Sequence, residues 1–142
     1  VMRKSIRYRK GYKYQLAEDA EIYVDIYPVH DIETDWIALS FAGRLTARTG
    51  YAWDGPSGPT IDTPDSMRGS LFHDALYQLM RLGLLDQKYR PIADKLLHDI
   101  CIEDGMNHLR AALWKMAVED FAAGAAKAGT EREILTAPRE AA

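Results

Sequence analysis

Across the first third of the chain apolar and polar residues alternate. Tyr12, Tyr14 and Leu16 alternate with polar partners, and Ile22, Val24 and Ile26 do the same around Tyr23, Asp25 and Tyr27. Ile37, Leu39 and Phe41 follow, then Leu45 and Ala47 between Arg44, Thr46 and Arg48. A period of two puts each set on one face of a strand, so this stretch predicts a small antiparallel sheet over about residues 11–49 with one buried face. Gly43 marks the tight link between the last two strands. His30 falls in the Pro28–Thr34 connection as a loop histidine. The basic residues Arg3, Lys4, Arg7, Arg9 and Lys10 read as a solvated strand edge or tail.

The pattern then breaks. Residues 50–63 hold Gly50, Gly55, Gly58, Pro56 and Pro59, a composition that predicts a loop. The same stretch carries Tyr51, Trp53 and Ile61, so the loop is expected to be ordered: either a functional loop or a plug at the end of the sheet, with Trp53 as the plug. Thr63-Pro64-Asp65 is a helix start, with a cap residue, a proline in the first turn and an acid behind it. The period now becomes helical. A first helix is predicted from about residue 64 to Leu82, with Leu71, Phe72, Ala75, Leu79 and Leu82 as its apolar stripe and Gly83 as its stop. A second is predicted from about Tyr89 or Pro91 to Asp104, stopped by Gly105, with Ile92, Leu96, Leu97 and Ile100 as core. A third opens near Asn107 and runs to about Ala125, with Leu109, Leu113, Met116, Val118 and Phe121 as the packing face. The fold class expected is α+β: one domain over residues 1–125, made of sheet, Gly/Pro loop and a three-helix unit containing an antiparallel hairpin. Residues 126–142, rich in Ala, Gly and Glu, are expected to be a flexible tail.

Composition changes this picture little. A net charge of −3 gives nucleic acid no particular footing. No apolar run approaches the roughly 20 residues that span a bilayer, and no secretory leader is apparent. The single cysteine, Cys101, lies in an apolar helical run and is expected in the core, with no intrachain disulfide to make.

The chemistry concentrates in Leu71-Phe72-His73-Asp74-Ala75-Leu76-Tyr77. His and Asp are middling helix formers and costly to bury unpaired, so their place in the middle of an amphipathic helix wants a reason. His73 and Tyr77 share one helical face, and Asp74 is turned about 100° away. A base and a carboxylate can thus address two sides of one groove. The alternative is a hydrogen-bonded core histidine beside an acid that complements the helix dipole. A short connection makes the first two helices antiparallel neighbours, which lets His73 meet Asp94 across the hairpin. A carboxylate accepting from one imidazole nitrogen leaves the other as a base. Asp74 stays available to a hard cation such as Ca²⁺, and a Gly-rich loop such as Trp53–Gly58 can add backbone carbonyls.

Two resemblances meet on these residues. Gly50-Tyr51, Asp54-Gly55, Ser57, Pro59, His73-Asp74-Ala75-Leu76-Tyr77 and Ala93-Asp94 together resemble the phage and prophage domain-of-unknown-function family thirteen-fifty-three, over roughly residues 35–105. That likeness implies a viral origin, in the host bacterial cytoplasm or the phage particle, and no reaction. The helix pair is also similar to that of phospholipase A2, above all the disulfide-free domain of parvovirus capsids. In that family a Gly-rich calcium loop precedes His-Asp-x-x-Tyr, and Ala-Asp on the next helix completes the site. The resemblance implies His73 as general base for a water, Asp94 as its orienting carboxylate and Tyr77 as a hydrogen-bond partner of Asp94. It implies Asp74 as a Ca²⁺ ligand with loop carbonyls near Trp53, Gly55 and Ser57, and Ca²⁺ with the Gly55 N–H at the ester oxyanion. It would make phospholipid the substrate. The chain departs from that family at Asp54 and Pro56, where the lipase loop is richer in glycine, and in its leading sheet.

Two other readings stand beside this one. His73-Asp74, His98-Asp99 and Asp94 are also elements of a metal-dependent His-Asp phosphohydrolase, although only His30 precedes them. The non-enzymatic reading makes the same residues a structural polar network in a phage accessory, virion or host-interaction protein.

Overall fold

The strands arise where β-formers alternate and the helices where the period lengthens. The computed structural model describes residues 5–9, 14–55 and 63–121. The strands are β1 (Tyr8–Arg9), β2 (Tyr14–Leu16), β3 (Ala20–Tyr23), β4 (Ile32–Glu33), β5 (Ile37–Leu39), β6 (Arg44–Ala47) and β7 (Ala52–Trp53). The helices are α1 (Pro64–Arg81), α2 (Arg90–Glu103), entered through a 3-10 turn at Gln87–Tyr89, and α3 (His108–Phe121). Antiparallel sheets therefore precede three helices, and the fold is α+β. Tyr12, Ser57, Pro59, Ile61 and the expected tail at 126–142 lie outside the described residues.

The single expected sheet is divided in two, with orders β1-β2-β7 and β3-β6-β5-β4, and the stretch read as loop contributes β7. The division is local. Tyr14 pairs with Trp53 and Ala20 with Ala47, so one antiparallel register runs through both halves. It breaks where the Asp19 carboxylate accepts from the Thr49 N–H at 2.7 Å and its hydroxyl at 2.8 Å. Those donors hold the Asp19 carboxyl below its ordinary range. Side-chain bonding of this kind competes with ladder bonding and ends strands.

Two strand expectations shift. Val24 and Ile26 are buried, but past the end of β3. Phe41 does not face the core: β5 stops at Leu39, and Phe41 sits in the turn to β6 with 63% of its surface exposed. Gly43 closes that turn at φ +85°, and a Cβ there would lie 2.5 Å from the Val24 carbonyl oxygen, so no other residue fits without moving backbone.

Helix α1 begins as expected: Thr63 is its cap, Pro64 its first residue, and the Thr63 N–H donates to Ser66 Oγ at 3.2 Å. α1 and α2 end just before Gly83 and Gly105. They pack closely because Gly69 has no side chain: a Cβ there would lie 2.9 Å from Cys101 Sγ and 3.2 Å from the Leu97 carbonyl oxygen. Near the ends of the pair, buried Arg68 meets Asp104 at 3.1 Å and Glu103 at 3.3 Å. Cys101 is in the core, as expected, and burial pushes its thiol up to about 12.

α3 packs through the opposite face from the one its Leu and Met residues suggest. Leu109, Leu113 and Met116 are 70%, 57% and 61% exposed, while Ala111, Trp114 and Val118 are buried. Trp114 buries more apolar area than a leucine, which favours this face. Val118 was expected inside and is; the Phe121 side chain is outside the described residues. No helix among the described residues is long and apolar enough to cross a membrane.

Two outcomes are expected. Gly69→Ala should destabilise the protein by about 1–3 kcal/mol despite alanine's better helix propensity, because the added methyl meets a buried thiol and main chain; a urea midpoint equal to wild type would refute the close approach. Cys101 should react with an aromatic disulfide reagent at pH 8 only after unfolding, and rapid labelling of the native protein would contradict its placement.

Candidate functional site

The site is built on the facing sides of α1 and α2. Gly69, His73 and Tyr77 follow one another at helical spacing, and Asp94, Leu97 and Cys101 do so on α2. Because the helices run antiparallel, Gly69 lies against Leu97 and Cys101 while His73 and Tyr77 lie against Asp94. His73 Nε2 is 2.7 Å from Asp94 Oδ1, and the Tyr77 hydroxyl donates to that same oxygen at 2.6 Å. The two rings stack with centroids 4.2 Å apart. His73 and Asp94 are 8% and 4% exposed, so each depends on the other to offset the cost of leaving water.

A carboxylate only accepts hydrogen bonds, so in the neutral imidazole the tautomer that fits this contact has the proton on Nε2 and the lone pair on Nδ1. Tyr77 is held neutral. Burial pushes its phenol well above the ordinary value of 10.0, and the hydrogen bond and charge of Asp94 push the same way.

A narrow pocket opens beside the imidazole, with room for about one water. His73, Asp74 and Ser70 form its α1 wall, Leu97 its α2 wall, Trp114 and Val118 its α3 wall, and Gly55 closes it from the loop. The loop reaches α1 through Trp53, which rests on Tyr14 with ring centroids 5.8 Å apart and donates its indole N–H to Ser70 Oγ at 3.1 Å. Trp53 is 1% exposed, so its side chain is the expected plug that joins sheet to helix. Asp74 is half-buried, and it interacts with the buried Tyr51 hydroxyl, which also donates to Gln78 Oε1 at 3.3 Å. Burial raises the Tyr51 phenol well above its usual value, and the Asp74 charge adds to that; Asp54 acts in the same direction more weakly.

Of the residues singled out in the sequence, His73, Asp94 and Tyr77 converge, and Asp74 and Gly55 share the pocket with His73. Asp54 is exposed on the loop, within electrostatic reach of Tyr51. Ser57 and Pro59 are outside the described residues. Among the described residues no group of three or more His, Cys, Asp or Glu side chains is placed to hold a metal. Asp74 with backbone carbonyls around it would make a donor set that suits Ca²⁺ and does not suit Zn²⁺. The constellation needed for a His-Asp phosphohydrolase does not assemble: His98 bonds its neighbour Asp99 at 3.0 Å on the outer face of α2, and His30 is exposed in a turn. Ser70 and Trp114 were not read as pocket residues. Neither belongs to the His-Asp motif, and only helix packing brings them here.

Comparison with known proteins adds no relative: no family model matches the chain, and no curated protein or solved structure matches it significantly.

The phenols give a pH signature. In the unfolded chain Tyr51 and Tyr77 ionise near 10, whereas in the folded protein they stay protonated, so their contribution is intact below pH 10 and declines above it. The slope is about 1.4 kcal/mol per pH unit for each group. Tyr77→Phe should cost about 1–3 kcal/mol at pH 7, since Asp94 loses a donor, and should make the alkaline decline shallower. Urea melts at pH 7, 10 and 11 read both, and an unchanged alkaline slope would refute the burial of that phenol.

Proposed function

We propose that this chain is a hydrolase of carboxylic esters, with phospholipid as substrate class, in which His73 activates a water. The observation that carries the reading is the 2.7 Å bond from His73 Nε2 to Asp94, on an oxygen already held by Tyr77, with the imidazole at the wall of a pocket shared by Asp74. In this reading Nδ1 takes a proton from water as its oxygen attacks the ester carbonyl, and Asp94 stabilises the imidazolium that forms. The tetrahedral intermediate then breaks its C–O bond to the alcohol, which leaves with the proton from Nδ1. Tyr77 keeps Asp94 from rotating. Ca²⁺ held by Asp74 with loop carbonyls near Trp53, Gly55 and Ser57 would supply positive charge for the carbonyl oxygen. The likeness to phospholipase A2 supports this assignment, and the likeness to family thirteen-fifty-three supports a phage or prophage origin, with action in the host bacterial cytoplasm or the particle.

A second reading is favoured by the narrowness of the pocket: the same residues act as a buried network that fixes the hairpin in a non-enzymatic phage protein. The two separate in one assay. Fatty-acid release from short-chain phosphatidylcholine is followed for wild type, His73→Ala and Asp74→Asn, with Ca²⁺ or with chelator. The proposal expects His73→Ala to lose on the order of 10²–10⁴-fold and Asp74→Asn to lose its response to Ca²⁺. Release no faster from wild type than from His73→Ala would remove the hydrolase.

A further inference from the structure

Among the described residues, one buried side-chain polar atom has no hydrogen-bond partner: Nε1 of Trp114. The other buried polar side chains do not share this state. Arg68 has Asp104, His73 and Tyr77 have Asp94, and Ser70 has both the Met67 carbonyl and Trp53. The second buried indole, Trp53, places its N–H on Ser70 at 3.1 Å. Buried donors are paired as a rule, and an orphan wants a cause. Trp114 is 3% exposed, so the atom is not relieved by bulk solvent. It is also not in a remote part of the core: Trp114 is a wall residue of the pocket that holds His73 and Asp74.

We propose that the Trp114 indole N–H is a ligand-binding donor, which hydrogen-bonds an oxygen of the molecule that enters beside His73. Indole is a donor only, so its partner is an acceptor and cannot be a cation. The pocket has room for about one water, so a larger ligand must part the wall, and α3 supplies that wall through Trp114 and Val118. Parting it is the step that, in this proposal, brings the indole N–H to the entering group. The ligand-free protein carries the desolvated donor, and the complex satisfies it. The identity of the acceptor rests on the function proposed above: for an ester it is the acyl carbonyl oxygen, which must lie close to the imidazole for water to reach its carbon.

The probe is a short-chain phosphatidylcholine analogue whose scissile ester is an amide, which keeps the carbonyl oxygen. Binding is measured by calorimetry with Ca²⁺ present, for wild type, Trp114→Phe, and a protein carrying benzothienylalanine at 114, which keeps the bicyclic shape and lacks the N–H. Loss of the donor should weaken binding on the order of tenfold while the ligand-free melting temperature of the benzothienylalanine protein is unchanged or higher. The Trp114 indole ¹⁵N–¹H resonance should move on saturation. Equal affinity in the benzothienylalanine protein, a resonance that stays in place, or no binding of the analogue by wild type would each overturn the inference. The two proposals fail separately. Donor-dependent binding with no turnover of the ester leaves Trp114 in its role and removes the hydrolase. Turnover with unchanged KM in the benzothienylalanine protein does the reverse.

Discussion

The polar contacts between α1 and α2 depend on how closely the two helices approach. Gly69 lets the two backbones come near enough that Leu97 and Cys101 fill the space a side chain would have taken. One turn further along α1, that spacing leaves an imidazole 2.7 Å from a carboxylate. A buried His and a buried Asp each cost several kcal/mol alone and are tolerable only at hydrogen-bond distance. The interhelical distance is therefore a condition for the proposed chemistry and for the stability at once. The Arg68–Asp104 pair and the Tyr77–Asp94 bond hold the hairpin on either side of that point.

The sheet enters the site at one place. Its antiparallel register continues past the Asp19–Thr49 break, so β7 lands beside β2 and delivers Trp53 to α1. The indole N–H on Ser70 ties the loop to the helix one turn before Asp74. Gly55, two residues after Trp53, becomes part of the pocket wall. The leading sheet, which has no counterpart in the lipase helix pair, thus positions the loop that the proposed cation would need.

What was legible in the sequence were features encoded by neighbours a few residues apart. The cap at Thr63-Pro64-Asp65, the stops at Gly83 and Gly105 and most of the helical stripes of α1 and α2 are local, though Leu82 is exposed and Ile92 and Leu96 are only half-buried; the hairpin that brings His73 to Asp94 follows from a short connection. The split of the sheet was not legible, because it depends on Asp19 finding Thr49 across the fold. Phe41 misled because alternation continues past Leu39 after the backbone has already turned. α3 has two apolar faces about half a turn apart, and composition alone ranks the Leu/Met face first. Packing decided otherwise: Ala111, Trp114 and Val118 are buried, and Trp114 meets the pocket that Leu97 of α2 also lines. The same cause hid Trp114 from any reading of the site.

The polar interior is unevenly satisfied, and the unevenness has a direction. On the Asp94 side the network is complete: two donors converge on one carboxylate oxygen, and both donors belong to α1. On the α3 side Trp114 lines the pocket, and its buried indole N–H has no acceptor among the described residues. A network selected only to lock the hairpin gains nothing from carrying an unpaired donor at its edge, because a phenylalanine would fill similar space without the desolvation cost. A network that must receive an oxygen-bearing molecule beside His73 needs a donor that no protein group already occupies. The structural reading accounts for Asp94 and Tyr77 as well as the hydrolytic one does; Trp114 is where they diverge, since the proposed ligand gives its N–H a role that the locked network does not.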